Sequence, residues 1–588
     1  MSRVAGFAPE PLRTDFNPYD TIRTDLSAYV WPMRTSTVMT SSFGEYRSTH
    51  FHAGIDISTG DTLGLPVLAS RDGYIRRITI SPTGYGKILH IRHRDGYTTS
   101  YAHLQGFPPL VDSLVKAEQY RKGCFPVELE FPPDALPVAT GQIVAYAGDT
   151  GSGSAHLHFE IRDENRNTIN PLLAEPFSIE DGLPPIFRGV AFVPLDSVGQ
   201  IDGDPVPRAV KSRQISSTGY VLDHSPLLDG RVGLAVDVRD RSDFSNYFHG
   251  YYALQLDVDS VRVFDVRYDR VPLRDGHQIR LVYLQDPEIK RHGRFHKLFL
   301  DTYHRLPIFP GMEYGSGILI TPMLPPGRHT LTITCVDYNG NASTLSGSFR
   351  TRAEDVRTRH NADDPPSAAN NYRPRPAGSP NTRTHRIDPA LSGVIEVDGG
   401  ALRIRHRPGS LFHPVDLTAT PVEDEGFVGY DIEPAGIPLD DGLDFEFKVP
   451  SWMKHPGVYT RSENSWTFLS RAEPDSHGRA SATLHRFLGD IALREDAIPP
   501  EMYRIHIAGT GTRPLISFRF RDNLAGVEYR EVKVYIDSIM IIPEIDGEHR
   551  RVTAQPATPL ARGPHRLTIQ LADRMGNRIL HERSFRVR

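Results

Sequence analysis

Cysteine is nearly missing from this chain of 588 residues: Cys124 and Cys335 are its two thiols. Two thiols so far apart build no disulfide framework and say nothing about compartment. Long apolar runs are missing too. Nothing approaches the roughly 18 consecutive apolar residues that cross a bilayer, so the sequence contains no transmembrane segment. The opening MSRVAGFAPEPLRTDF has neither an apolar core nor a cleavage site, and does not read as a secretory leader. Nor is there an excess of positive charge. With 67 Lys and Arg against 72 Asp and Glu the net charge is −5, which removes the electrostatic motive for binding nucleic acid or an anionic membrane.

What is present is ordinary globular chemistry with heavy punctuation. Hydrophobic residues make up 39% and charged residues 24%, enough to bury cores in the roughly four domains that this length suggests. Glycine (49) and proline (48) favour many short strands joined by turns over long helices, so the expected fold class is all-β. From 39 to 178 the pattern is a meander: Tyr74 to Ile80, Lys87 to His93 and Tyr97 to Leu104, the last two joined by Arg94-Asp95-Gly96, a hairpin signal. A Pro-rich insertion, Gln105 to Pro137, interrupts it before strands resume at Gly141 to Ala147 and His156 to Arg162.

Further along, Gly327, His329, Asp337, Gly340, Asn341 and Phe349 recur as Gly563, His565, Asp573, Gly576, Asn577 and Phe585, a constant offset of 236. Each set reads as strand, turn, strand, and each module opens on a similar stretch, Asp181-Gly-Leu-Pro-Pro or Asp496-Ala-Ile-Pro-Pro. The expected organisation is an N-terminal extension (1–38), a strand-rich domain (39–178), a β-sandwich region (179–352) long enough for an insertion or two units, a Pro-rich linker (353–391), a β-sandwich (392–497) and a final β-sandwich (498–588). In the fifth segment Leu443, Phe445, Phe447 and Val449 alternate with polar residues and define one buried face.

The chemistry concentrates in 39–178. In a strand, His156, His158 and Glu160 project to one side and Leu157, Phe159 and Ile161 to the other. His52 and Asp56 add a nitrogen and an oxygen donor, with Gly54 between them read as the residue that lets the chain turn sharply. His52, Asp56 and His158 make three protein ligands, the number that a catalytic zinc takes while leaving a position for water. His103 and His156 then stand ready to take a proton or steady an oxyanion. His50 shares the extended face of His52 and competes with it as a ligand; His90 and His93 read as strand and turn positions. Glu160 reads either as a group orienting a ligand or as a solvated strand residue. The glycine-rich loop Thr150 to Ala155 is a turn, since no Gly-Lys-Ser or Gly-Lys-Thr follows it to cradle phosphate.

These residues match a known pattern. Ser42-Phe-Gly-Glu-Tyr-Arg47 leading to His50-Phe-His-Ala-Gly-Ile-Asp56, then Gly84-Tyr-Gly-Lys87, Gly96 through Tyr101-Ala-His103-Leu, and Gly148 through His156-Leu-His158-Phe-Glu160 resemble the M23 metallopeptidases, the lysostaphin- and LytM-like enzymes. The resemblance covers about a quarter of the chain. It implies a two-sheet antiparallel β domain, one Zn2+ per chain on His52, Asp56 and His158, a catalytic pair His103 and His156, and peptidoglycan stems or cross-bridges as substrate. It favours His52 over His50. The loop 150–155 departs from relatives in lacking Gly-Pro, and the insertion after His103 is long, which leaves the preferred cross-link open. The downstream modules resemble the immunoglobulin-like sandwiches of bacterial surface proteins, and 392–497 resembles the ZU5 type through Val415 to Leu417 and Glu433 to Gly436.

The expectation is therefore a zinc metalloendopeptidase of the cell envelope, periplasmic or extracellular, exported by a leader lying upstream, with envelope proteins as further partners. A non-cleaving activator that keeps the fold, or a scaffold in which the sandwiches do the main work, is the alternative.

Overall fold

The computed structural model describes residues 26–174, 177, 179–243, 245–300, 305–309, 316–352, 383–424, 427–462, 465–509 and 511–588. The architecture is mostly β. Contacts divide it into two compact units interleaved in sequence. One takes the described residues up to Ile57, His93–Thr99 and those from Phe159 to 352; the other takes Ser58–Arg92, Ser100–His158 and 383–588.

The strands Ile55–Ser58, Lys87–His93, Thr98–Ala102 and His156–Arg162 belong to one sheet. Its order is Met39–Ser41, Ile55–Ser58, His156–Arg162, Thr98–Ala102, Lys87–His93, Gly73–Ile80, Val127–Glu130. The strand of Asp56 thus neighbours the strand of His156 and His158, and the next one leads to His103. Period-2 alternation sets the faces: Leu157, Phe159 and Ile161 are fully buried on the apolar side. A smaller sheet, Pro66–Leu68, Ile143–Ala147 and Leu104–Gly106, follows in the second unit.

The Pro-rich insertion is not irregular. It holds a helix, Pro109–Lys122, with Pro109 in its first turn, Asp112 early, Arg121 and Lys122 late, and Gly123 closing it in the left-handed conformation at φ 62°. Val111, Val115 and Gln119, four residues apart, form its buried stripe.

In the first unit a twelve-stranded sheet carries a core that includes Phe187, Phe192, Leu234, Leu254, Phe264, Ile333 and Phe349. The strand Arg270–Pro272, also in this unit, belongs instead to the sheet of the histidine strands, where it pairs antiparallel with Asn167–Ile169. The described part of the N-terminal extension joins this unit, where Tyr29 donates its hydroxyl to Asp95 Oδ2 at 2.8 Å. In the second unit a six-stranded and a four-stranded sheet share one core, with Leu417, Tyr430 and Ile491 from the first and Leu402, Phe445 and Phe447 from the second. Two four-stranded sheets over Glu501–Val587 complete it.

The repeated segments are long hairpins of identical register, Gly327↔Thr351 and Gly563↔Val587 at their bases. Their shared residues have physical roles. His329 bonds Asp259 Oδ2 at 2.6 Å and lies 5.1 Å from the Phe349 ring; His565 bonds Asp537 Oδ2 at 2.5 Å and lies 5.6 Å from the Phe585 ring. Asp337 and Asp573 each accept the amide of the asparagine four residues on, at 2.8 Å, which closes the turn. Of the expected linker, 353–382 lies outside the described residues, and its last part is not a tether: Thr384–Ile387 is a strand paired with Val415–Thr418.

Candidate metal centre

His52, Asp56 and His158 are buried, and one ligand atom from each lies within 4.8 Å of the others. The tautomer of His52 is set locally. Its Nδ1–H donates to the Ser42 carbonyl at 2.7 Å, so the lone pair is on Nε2, which faces Asp56 Oδ1 at 3.1 Å. A nitrogen lone pair and a carboxylate oxygen that close repel unless a cation joins them. Asp56 Oδ2 accepts Arg47 Nη2 at 3.3 Å, which turns Oδ1 towards the imidazole. Two imidazole nitrogens and one carboxylate oxygen are a donor set that suits zinc, and the residues present fit that ion.

Arg47 is shared. It also reaches Glu45 Oε2 at 3.5 Å and Ser41 Oγ at 2.6 Å, and Ser41 in turn bonds Glu45. Burial pushes the Glu45 carboxyl up to about 7, with Arg47 pulling it down and Asp56 raising it further.

His103 and His156 come together beside His158. The His103 ring centroid is 4.6 Å from that of His156 and 5.8 Å from that of His158. Both have a fixed tautomer, since Nδ1–H donates to a carbonyl: Thr150 O at 2.9 Å for His103 and Ser154 O at 2.9 Å for His156. His103 sits at φ 58°, a left-handed conformation that costs a non-glycine residue on the order of 1–3 kcal/mol and recurs at functional positions.

The glycine-rich loop is what holds it there. A Cβ on Gly86 would lie 2.0 Å from Thr150 O, and one on Gly151 would lie 2.4 Å from Gly84 O, so loops 84–86 and 150–151 approach as bare backbone. The Thr150 hydroxyl donates to Leu104 O at 2.8 Å and accepts the Lys87 amide at 3.0 Å. Sequence reasoning passed over Tyr85, whose ring lies 5.4 Å from that of His158 and whose carbonyl accepts the His103 amide at 3.0 Å. Its flanking glycines were the available signal.

Gly54 lies at a bend, as expected, and carries a second constraint: a Cβ there would lie 2.2 Å from Phe159 O and 2.8 Å from Glu160 Cγ, so the residue also permits close strand approach. Glu160 is fully buried against Arg162 Nε at 2.5 Å, not solvated. His50 is exposed and stands outside the ligand group. His90 bonds Ser100 Oγ at 2.8 Å and His93 bonds Thr99 Oγ1 at 2.8 Å, both as strand residues.

The model of peptidase family M23 matches residues 50–120. The chain is 31% identical over 149 residues to murein hydrolase activator NlpD of Escherichia coli, covering 25% of this chain and 31% of that protein. It is 30% identical over 109 residues to lipoprotein NlpD of Yersinia enterocolitica, covering 18% and 88%. It is 34% identical over 122 residues to DD-carboxypeptidase/endopeptidase Mpg of Neisseria meningitidis serogroup B, covering 21% and 22%. The chain belongs to peptidase family M23. It spans about a third of the length of the E. coli relative and about a fifth of the Neisseria one.

Proposed function

We propose that this protein is a zinc-dependent endopeptidase that hydrolyses peptide stems or cross-links of peptidoglycan. The observation that carries the reading is the grouping of His52, Asp56 and His158, with His103 and His156 beside it. Zinc, when bound, supplies Lewis-acid polarisation of a water and of the scissile carbonyl.

The chain's own residues do the rest. His52 Nε2, a ring nitrogen of His158 and the Asp56 carboxylate hold the ion, and the Ser42 carbonyl keeps His52 in the ligating tautomer. His103 and His156, each anchored through Nδ1, have Nε2 as the basic position to take the proton of the attacking water or to steady the oxyanion. Tyr85 packs on His158 and limits the freedom of that ligand. In this reading the downstream β modules position the peptidase in the cell envelope, periplasmic or extracellular, where peptidoglycan lies.

A second reading, a non-cleaving activator of other wall hydrolases, is favoured by the name of the E. coli relative. Digestion of purified sacculi separates them. The endopeptidase reading expects soluble muropeptides, identified by mass spectrometry, that disappear with a chelator and return with zinc. A zinc-loaded protein that releases nothing, yet accelerates a separate wall hydrolase, would establish the activator instead.

A further inference from the structure

Away from these histidines, three carboxylates meet from distant parts of the chain. Oxygens of Asp181, Asp240 and Asp337 all lie within 4.8 Å of one another. Asp240 is 2% exposed and Asp337 1% exposed, and Asp181 is half-buried. Among the described residues none of the three has an ion-pair partner, and Asp240 Oδ1 is buried without a hydrogen-bond partner.

The other two are held by the chain. Asp337 Oδ1 accepts the Asn339 and Asn341 amides at 2.9 and 2.8 Å, and its Oδ2 accepts Asn341 Nδ2 at 2.7 Å. Asp181 Oδ1 accepts the Leu183 amide at 3.0 Å, and its backbone carbonyl accepts Asn341 Nδ2 at 2.9 Å. For Asp240 the backbone amide of Arg241 is the one compensating contact, and Oδ1 is left without a partner. Burial, then the charges of its two neighbours, push its carboxyl up to about 9, and burial pushes Asp181 up to about 6.

The last module shows that its turn does not need such a cluster. Asn577 Nδ2 donates to the Asp496 carbonyl at 3.0 Å, as Asn341 does to that of Asp181. There, however, Asp496 Oδ2 accepts the Ala525 amide at 3.1 Å and Asp522 Oδ2 accepts the Leu524 and Gly526 amides at 3.0 and 2.7 Å. Asp496, Asp522 and Asp573 form no three-carboxylate group among the described residues.

We propose that Asp181, Asp240 and Asp337 bind one hard divalent cation of the calcium type, tying the Asp181-Gly-Leu-Pro-Pro stretch to Asp240 and to the Tyr338–Asn341 turn. All donors are carboxylate oxygens, Asp240 releasing its proton to solvent as the ion binds, and an all-oxygen set selects calcium over zinc. The site would be structural, since binding to the folded state alone stabilises it by mass action.

The test uses the full chain, freed of alkaline-earth ions and titrated with CaCl2 at pH 7 by calorimetry, with thermal unfolding alongside. Calcium should bind and raise the unfolding temperature. Asp240→Asn should lose one equivalent of bound calcium, and Asp181→Asn, at the half-buried edge, should weaken that equivalent at least tenfold even if the first variant does not fold. No calcium uptake up to millimolar concentration would overturn the proposal. So would stoichiometry and affinity unchanged in both variants, or an Asp240→Asn protein that is simply more stable with no calcium response in the parent, the outcome for a cluster kept neutral by protonation.

Discussion

Replacing Gly54 by alanine tests whether the close strand approach at this position sets the metal geometry. The added Cβ would stand 2.2 Å from Phe159 O and 2.9 Å from Phe159 C, and both are backbone atoms of a strand fixed in the sheet. Reaching even 3.0 Å requires movement of about 0.8 Å. The segment that yields is the one carrying His52 and Asp56, two residues either side. Overpacking of this kind costs about 1–3 kcal/mol, and if that is spent on the ligand geometry it corresponds to roughly 5- to 150-fold in metal affinity. A misplacement near 1 Å also costs about 100-fold in rate. Zinc retained after dialysis against a competing chelator, together with muropeptide release, measures both. Gly106→Ala is the control, because a Cβ there meets nothing within 4 Å. If Gly54→Ala keeps zinc and rate like the control, the reasoning from close approach to ligand placement is wrong.

Three further outcomes follow from the same structure. His158→Ala should abolish zinc retention, whereas His103→Ala should keep the ion and lose about 100- to 10,000-fold in rate; equal zinc loss in both would contradict the division of roles. His296 is fully buried, with Nδ1–H on the Lys297 carbonyl at 2.7 Å and Nε2 accepting from the Tyr268 hydroxyl at 2.9 Å, and burial pushes it down to about 3. Its neutral form belongs to the fold, so its contribution is complete above about pH 6.5, where the unfolded group titrates, and is lost as pH falls towards 3. Urea midpoints should drop from pH 7 to pH 5, and His296→Gln should flatten part of that slope; an unchanged slope would rule His296 out as its source. Phe445 is fully buried at 0% exposure, so Phe445→Ala should destabilise its module by about 3–5 kcal/mol, against about 0.5 kcal/mol or less for Val394→Ala, which is 47% exposed. Chemical denaturation monitored on both variants checks the contrast.

The candidate centre was legible because strand alternation is a local rule. His156, His158 and Glu160 declare a common side within five residues, and the placement of His52 and Asp56 needs only a short turn of chain. The all-β class was legible from turn residues for the same reason. The helix Pro109–Lys122 was not recovered, although a proline in its first turn and acidic-then-basic ends were there to read, because the segment was read only as a Pro-rich insertion. The bend at Gly54 is local and was legible, whereas its second constraint is a strand more than a hundred residues away, which no window of sequence contains. Asp181, Asp240 and Asp337 lie in three separate segments with no shared spacing, so only the fold brings them into view.

The segment that resembles a peptidase is braced by distant parts of the chain. Arg270–Pro272 supplies hydrogen bonds to the Asn167–Ile169 edge, Lys87 Nζ meets Glu544 Oε2 at 2.8 Å, and the Gly547 amide donates to Pro82 O at 2.9 Å. Excising residues 39–178 would bare a strand edge ready to recruit foreign chains and would unfasten the stretch leading to Tyr85. Evolution or an engineer seeking to transplant this M23 domain would have to carry its distant braces along with it.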